Sequence, residues 1–231
     1  PEQTDGARDD RGLEESWRRN IEVVPTVIRI ENGGEVERTQ GWDRAEWRRI
    51  TGHNGLGAGL PDFRPGCGSR SVEPGMPERL SLQFGGMHLI SRKIEVGEMD
   101  DPMEVAHDRG WTDGLPVVPP TDLRIARMLS GTTRKSDETI GLIPPNLAEC
   151  TIEKVAISAI MAGCRPEYMP VVLAVVEAAL KPEFSMHGLL ATLGFAGPVV
   201  IVNGPITKRI GMNSKGNALG QGNRANASIG R

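Results

Sequence analysis

The sequence predicts a mixed α/β chain in two parts, and three features carry that prediction. A β-branched run at residues 23–30 is followed by an Asn-Gly turn, a second extended run and a capped helix. A Gly- and Pro-dense stretch at residues 53–86 then breaks all periodicity. Finally, residues 151–181 read as two apolar helices meeting at the corner Gly163-Cys164-Arg165-Pro166. The expected organisation is a partial α/β domain over 1–52, a Gly/Pro-rich connector over 53–100, and a second domain of α+β or α/β type over 101–231.

Composition limits the function classes. Of 231 residues, 38% are apolar and 25% charged, which suits an ordinary chain with an aliphatic core. The net charge of −3 argues against a general nucleic-acid binder. The cysteines, Cys67, Cys150 and Cys164, form no C-x-x-C pair and no zinc pattern, and an odd, sparse set is no disulfide framework. No metal and no cofactor are therefore expected. The most apolar run, 169–180, is too short to span a bilayer and contains Glu177. The N-terminus is acidic and polar, unlike a signal peptide, so a cytoplasmic location without membrane partners is expected. The chain begins at Pro1, and residues 225–231 read as the start of a helix, so a fragment is expected.

In order, residues 1–12 are charged and Gly-containing, a terminal loop. Residues 13–20 read as a short helix carrying Trp17. The run Val23-Val24-Pro25-Thr26-Val27-Ile28-Arg29-Ile30 is a strand with its proline near the start, where the missing N–H is tolerated. Asn32-Gly33 accepts positive φ and signals a hairpin returning over 36–39. Asp43 is placed to cap a helix over 44–51.

Val24-Pro25-Thr26, the following strand, the Asn32-Gly33 hairpin, Gly41-Trp42 and a closing helix with Trp47 together resemble the second half of a thioredoxin fold. The resemblance covers about residues 13–52. It implies a cis Val24–Pro25 bond and a redox groove at Pro25 and Thr26. The C-x-x-C pair of that family would lie upstream of Pro1.

The connector carries Arg64-Pro65-Gly66-Cys67-Gly68-Ser69-Arg70. Successive Gly and Ser N–H groups beside two arginines could form an anion nest that activates Cys67; the alternative is a flexible linker with an incidental cysteine. Residues 89–96 read as a strand and 102–110 as a weak helix. Asp113-Gly114 signals a turn before a short apolar strand at 115–118, and Thr121 or Asp122 caps a helix over 123–129. Residues 140–145 are extended.

In the central block, Ile152, Val155, Ala156, Ala159 and Ile160 recur at helical spacing, with Thr151 as the cap and Glu153 in the first turn. Gly163 is the residue expected just past a helix end, and Pro166 suits the next helix's first turn. Cys164 therefore lies next to Arg165 and close to a helix N-terminus, two features that lower a thiol pKa. A small buried residue filling a corner is the other reading. Residues 184–192 read as loop or partial helix, and 199–202 as a buried strand ended by Asn203-Gly204-Pro205.

The closing stretch spreads Asn213, Asn217, Asn223 and Asn226 among glycines, with Arg224 opening a helix. With Arg165 and Asn203, these carboxamides and cations are candidate substrate contacts, and the alternative is a Gly/Asn loop capping a helix. Gly220-Gln221-Gly222-Asn223-Arg224-Ala225 fits G-x-G-x-x-A without a preceding strand, a weak dinucleotide signal. The strings WTDGLPVVPPT, EKVAISAIMAGCRPEYMPVVLA, VIVNGP and NALGQGNRANASIGR resemble an uncharacterised bacterial family associated with UGSC-motif (seleno)proteins, which implies no particular activity.

Three functions follow as expectations. The first is a thiol–disulfide redox protein, its thioredoxin-like module coupled to a cysteine of the second domain, most directly Cys164, with a thiol or disulfide partner. The second is a cysteine-dependent lyase or hydrolase acting on a small molecule, with Cys164 or Cys67 as nucleophile and Asp113 or a histidine, His107 or His187, as base. The third is a non-catalytic binding or assembly module.

Overall fold

A computed structural model of the protein describes residues 10–194 and 196–231. The chain forms two compact units, Pro1–Gly86 and Met87–Arg231. Both mix helices with short antiparallel ladders, each of two strands. Most of the loop expected over 1–12 lies outside the described residues.

In the first unit, α1 (Glu14–Arg18) is capped from a distance: the Asp10 carboxylate accepts from the N–H groups of Glu15 and Ser16 at 2.9 and 2.8 Å. The β-branched run divides at Pro25 into β1 (Val23–Val24) and β2 (Thr26–Glu31). The Val24–Pro25 bond is cis, as is Pro144–Pro145. Asn32 and Gly33 take φ of 52° and 81° and return the chain into β3 (Gly34–Gln40), antiparallel to β2. β4 (Trp42–Asp43) leads into α2 (Arg44–Thr51), whose first turn is capped by the Asp43 carboxylate accepting from Ala45 and Glu46. The Trp42 and Trp47 rings lie 5.2 Å apart; their indole N–H groups donate to Pro61 O and Gly41 O.

The Gly/Pro-rich stretch is not a separate connector. Residues 53–86 belong to the first unit and contribute β5 (Phe63–Arg64), β6 (Cys67–Gly68) and α3 (Met76–Phe84), while residues 87–100 belong to the second. The physical reason is that its glycines permit close backbone approach rather than flexibility. A Cβ on Gly66 would lie 2.2 Å from a Val23 methyl. One on Gly41, which sits at φ 76°, would lie 2.9 Å from the Gly66 nitrogen.

The second unit is built round α6 (Ile152–Met161) and α7 (Met169–Ala179). Ahead of them come α4 (Pro102–Asp108), α5 (Asp122–Leu129) and the hairpin of β7 (Thr139–Ile143) with β8 (Ala148–Thr151). Thr121 and Thr151 are the N-caps of α5 and α6. Ile152, Ala156 and Met169 are fully buried at the centre of a core that also includes Ile125, Leu129, Ile160 and Leu173. Glu153 does more than complement the helix dipole. It is 1% exposed, and its carboxylate accepts from the N–H groups of Ile90 and Ser91 at 2.8 and 3.1 Å. That clasp anchors Ile90 and Ser91, but residues 89–96 form no strand, so the strand expected there is absent.

The chain ends through α8 (Met186–Ala191), α9 (Pro205–Arg209) and α10 (Arg224–Gly230). The buried strand expected at 199–202 is also not formed. Val200 and Val202 are half-buried, but Val199 and Ile201 are 75% and 80% exposed, and no described strand pairs with the segment. Residues 115–118 likewise form no strand, and Val118 N–H donates to Met161 O at 3.2 Å.

Candidate functional site

The fold brings together two elements that the sequence holds far apart. β1 and β6 pair antiparallel, with Val23 opposite Gly68 and Val24 opposite Cys67. Directly opposed residues of an antiparallel pair share one face, with Cβ atoms about 5 Å apart. Cys67 is exposed, and Val24, the residue before Pro25, is 38% exposed beside it. The sequence-predicted residues Pro25 and Thr26 follow Val24 directly, so the register sets Cys67 across from the residue that precedes them.

The segment around Cys67 is fixed at several points. Ser69 N–H donates to Glu22 O at 2.8 Å and the Ser71 hydroxyl to Ile21 O at 2.9 Å, while the Ser69 and Ser71 hydroxyls lie 2.8 Å apart. On the other side, Gly41 N–H donates to Pro25 O at 2.8 Å, and the Thr26 hydroxyl donates to Val23 O. These bonds also correct the anion-nest expectation. The Ser69 N–H is spent on Glu22, and the Ser71 N–H on the Ser69 hydroxyl. Arg64 and Arg70 flank the cysteine strand, are exposed, and have no ion pair among the described residues.

Cys164 is placed very differently. Gly163 N–H donates to Ile160 O and Cys164 N–H to Ala159 O, both at 2.8 Å, with Gly163 at φ 87°. This is the Schellman arrangement that closes a helix C-terminus. Cys164 thus stands one residue before the cap of the 3-10 turn that leads into α7, as its position in sequence suggests, but its N–H is tied to the negative end of α6, where the dipole disfavours a thiolate. It is 8% exposed, and its Sγ donates to Ser228 O at 3.3 Å. Burial pushes the thiol up, against smaller opposing effects of the Ser228 contact and of Arg224. The cation acting on it is Arg224; Arg165 points into solvent at the start of a 3-10 turn. The expected activation of Cys164 is therefore corrected. Cys150 is 3% exposed, and burial raises its pKa as well.

Asp113 is poorly suited to be a base. Arg231 donates to both its carboxylate oxygens, at 2.7 and 2.5 Å, and Leu115 N–H donates to it at 3.2 Å. The Arg231 guanidinium, with the Leu115 N–H second, holds the carboxyl down at about 2, too acidic to accept a proton effectively near neutrality.

The carboxamides of the closing stretch satisfy their own loop. The Asn226 side chain donates to Asn213 O and Ala218 O, and its oxygen accepts from Asn213 N–H. Asn223 caps α10 and donates to Gly211 O; Asn217 donates to Gln221 O; Asn213 donates to Gly216 O. Arg224 donates to Gly163 O, tying α10 to the Cys164 corner. This corresponds to the capping-loop reading of the Gly/Asn stretch. Asn203 stands exposed just before α9. His107 is exposed, 4.0 Å from Asp108, and His187 lies in the first turn of α8.

Among the described residues, no group of three or more His, Cys, Asp and Glu side chains is arranged to hold a metal, and no helix is long and apolar enough to cross a membrane. Compared with protein-family models, curated proteins and solved structures, the chain matches none.

Proposed function

We propose that the protein performs thiol–disulfide exchange and that Cys67 is its reactive thiol. The observation that supports this best is the pairing of Cys67 with Val24, which sets an exposed thiol opposite the residue before Pro25. The Cys67 thiolate attacks one sulfur of a partner's mixed disulfide. A new sulfur–sulfur bond forms to Cys67, the partner's bond breaks, and its other sulfur leaves as a thiolate. A small free thiol then attacks the mixed disulfide, leaves as the new disulfide and regenerates the Cys67 thiolate. The two electrons that reduce the partner come from small thiols. Val24 and Pro25 provide apolar surface for the partner, and Arg64 and Arg70 favour an anionic one.

Cys164 takes no part in this reading, because its sulfur is buried and its proton is held toward Ser228 O. The test is glutathione-dependent reduction of a small mixed disulfide by the full chain. Cys67→Ser is expected to abolish the catalysed rate, and Cys150→Ser and Cys164→Ser to preserve it. A catalysed rate that survives Cys67→Ser contradicts the assignment.

A further inference from the structure

The second unit contains a cleft of about 250 Å³ that the thiol chemistry does not use. Its lining includes Val155 of α6, Val172 and Val176 of α7 and Ile143 of β7. The volume lies just below the ~300–1,000 Å³ of ordinary small-molecule sites. That is small for a cofactor and suits a short hydrocarbon chain.

Its polar groups are few and of one sign. No Asp or Glu lines the cleft. Lys154 and Ser158 do, one helical turn apart on the same face of α6. The Lys154 ammonium donates to Glu149 O at 2.8 Å and has no carboxylate partner among the described residues. Arg231 also borders the cleft, but its charge is matched by Asp113. An unmatched cation at the edge of an otherwise apolar cleft is complementary to one ligand class, a hydrocarbon ending in a single negative charge.

We propose that this cleft binds a small aliphatic carboxylate, with its head at Lys154 and Ser158 and its chain between α6 and α7. The Lys154 ammonium exchanges a carbonyl for a carboxylate, and the Ser158 hydroxyl donates a second hydrogen bond. The hydrocarbon covers Val172, Val175 and Val176 of α7, which are only half-buried. It also lies over Cys150 and Cys164, which line the same space.

The test uses the full chain and three probes of equal length: octanoate, octanol and octylammonium. Calorimetry is expected to give saturable one-to-one binding of octanoate, weaker binding of octanol and none of the amine. Lys154→Met, at an exposed position, is expected to weaken octanoate about tenfold, the loss of one charge-assisted hydrogen bond. Val176→Trp fills the cleft and is expected to abolish binding, with circular dichroism confirming the fold of both variants. Octanoate is also expected to slow alkylation of Cys150 and Cys164 but not of Cys67. The proposal is overturned if octanoate fails to bind, if octanol or the amine binds as tightly, if Lys154→Met is without effect, or if light scattering shows a second copy of the chain covering the cleft.

Discussion

The two units hold their cysteines under opposite conditions. In the first, Ile50 and Leu80 are the buried apolar residues among those described, and cohesion comes from ladders, capped helices and arginine–carboxylate pairs such as Arg38–Glu35, Arg44–Asp62 and Arg49–Glu37. In the second, a continuous aliphatic core surrounds Ile152, Ala156 and Met169. Cys67 lies on the surface of the polar unit; Cys150 and Cys164 are packing residues of the apolar one. Burial in low dielectric disfavours a thiolate, so environment overrides the arginine next in sequence to Cys164.

The sharpest way to break this contrast is Ile152→Ala. It deletes a fully buried side chain and is expected to cost roughly 2–5 kcal/mol in the second unit, read as lost hydrogen-exchange protection over residues 125–173. Protection of the β2–β3 ladder is expected to be unchanged.

Gly66→Ala acts next, and on the first unit. Its methyl collides with Val23 and with Val24 O, so an expected cost of about 1–3 kcal/mol separates β6 from β1. Exchange at Ser69 N–H should rise while Cys67 remains exposed. If thiol exchange falls with it, the pairing with Val24 and not exposure alone makes the site.

Salt gives a smaller effect. At high ionic strength the first unit should weaken by a few tenths of a kcal/mol more than the second, because among the described residues its pairs are more numerous and exposed pairs are screened.

The smallest effect is in acid. Arg38 and Arg49 hold Glu35 and Glu37 below the ordinary 4.5, and Arg231 holds Asp113 near 2 against 3.8. For carboxyls depressed by folding, the stabilisation is present above the unfolded pKa and is lost as pH falls through the folded one. Both units should therefore loosen below about pH 4.5, and Asp113→Asn should flatten the loss between pH 4 and 2 in the second unit alone.

Local chemistry was legible in the sequence where a residue acts on its near neighbours. Asp43 and Thr151 cap their helices, Asn32-Gly33 turns its hairpin, and Gly163 ends α6 as the residue types predict. Legibility ends where partners are distant in the chain. The pairing of Cys67 with Val24, the action of Arg224 on Cys164 and the Glu153 clasp on Ile90 and Ser91 leave no local pattern. Glycine density in residues 53–86 suggests an irregular linker, yet Gly66 is there because a second backbone passes too close for a side chain. Composition also misleads at residues 199–202, where β-branching indicates a strand but pairing requires a neighbour.

The most direct test of the central assignment is the rate at which each cysteine of the folded chain forms a mixed disulfide with oxidised glutathione, compared with unstructured peptides of the same local sequence. The account predicts that Cys67 reacts faster than its peptide, while Cys150 and Cys164 react far more slowly than theirs. A Cys67 no faster than its peptide, or a Cys164 that reacts readily in the folded chain, would contradict it.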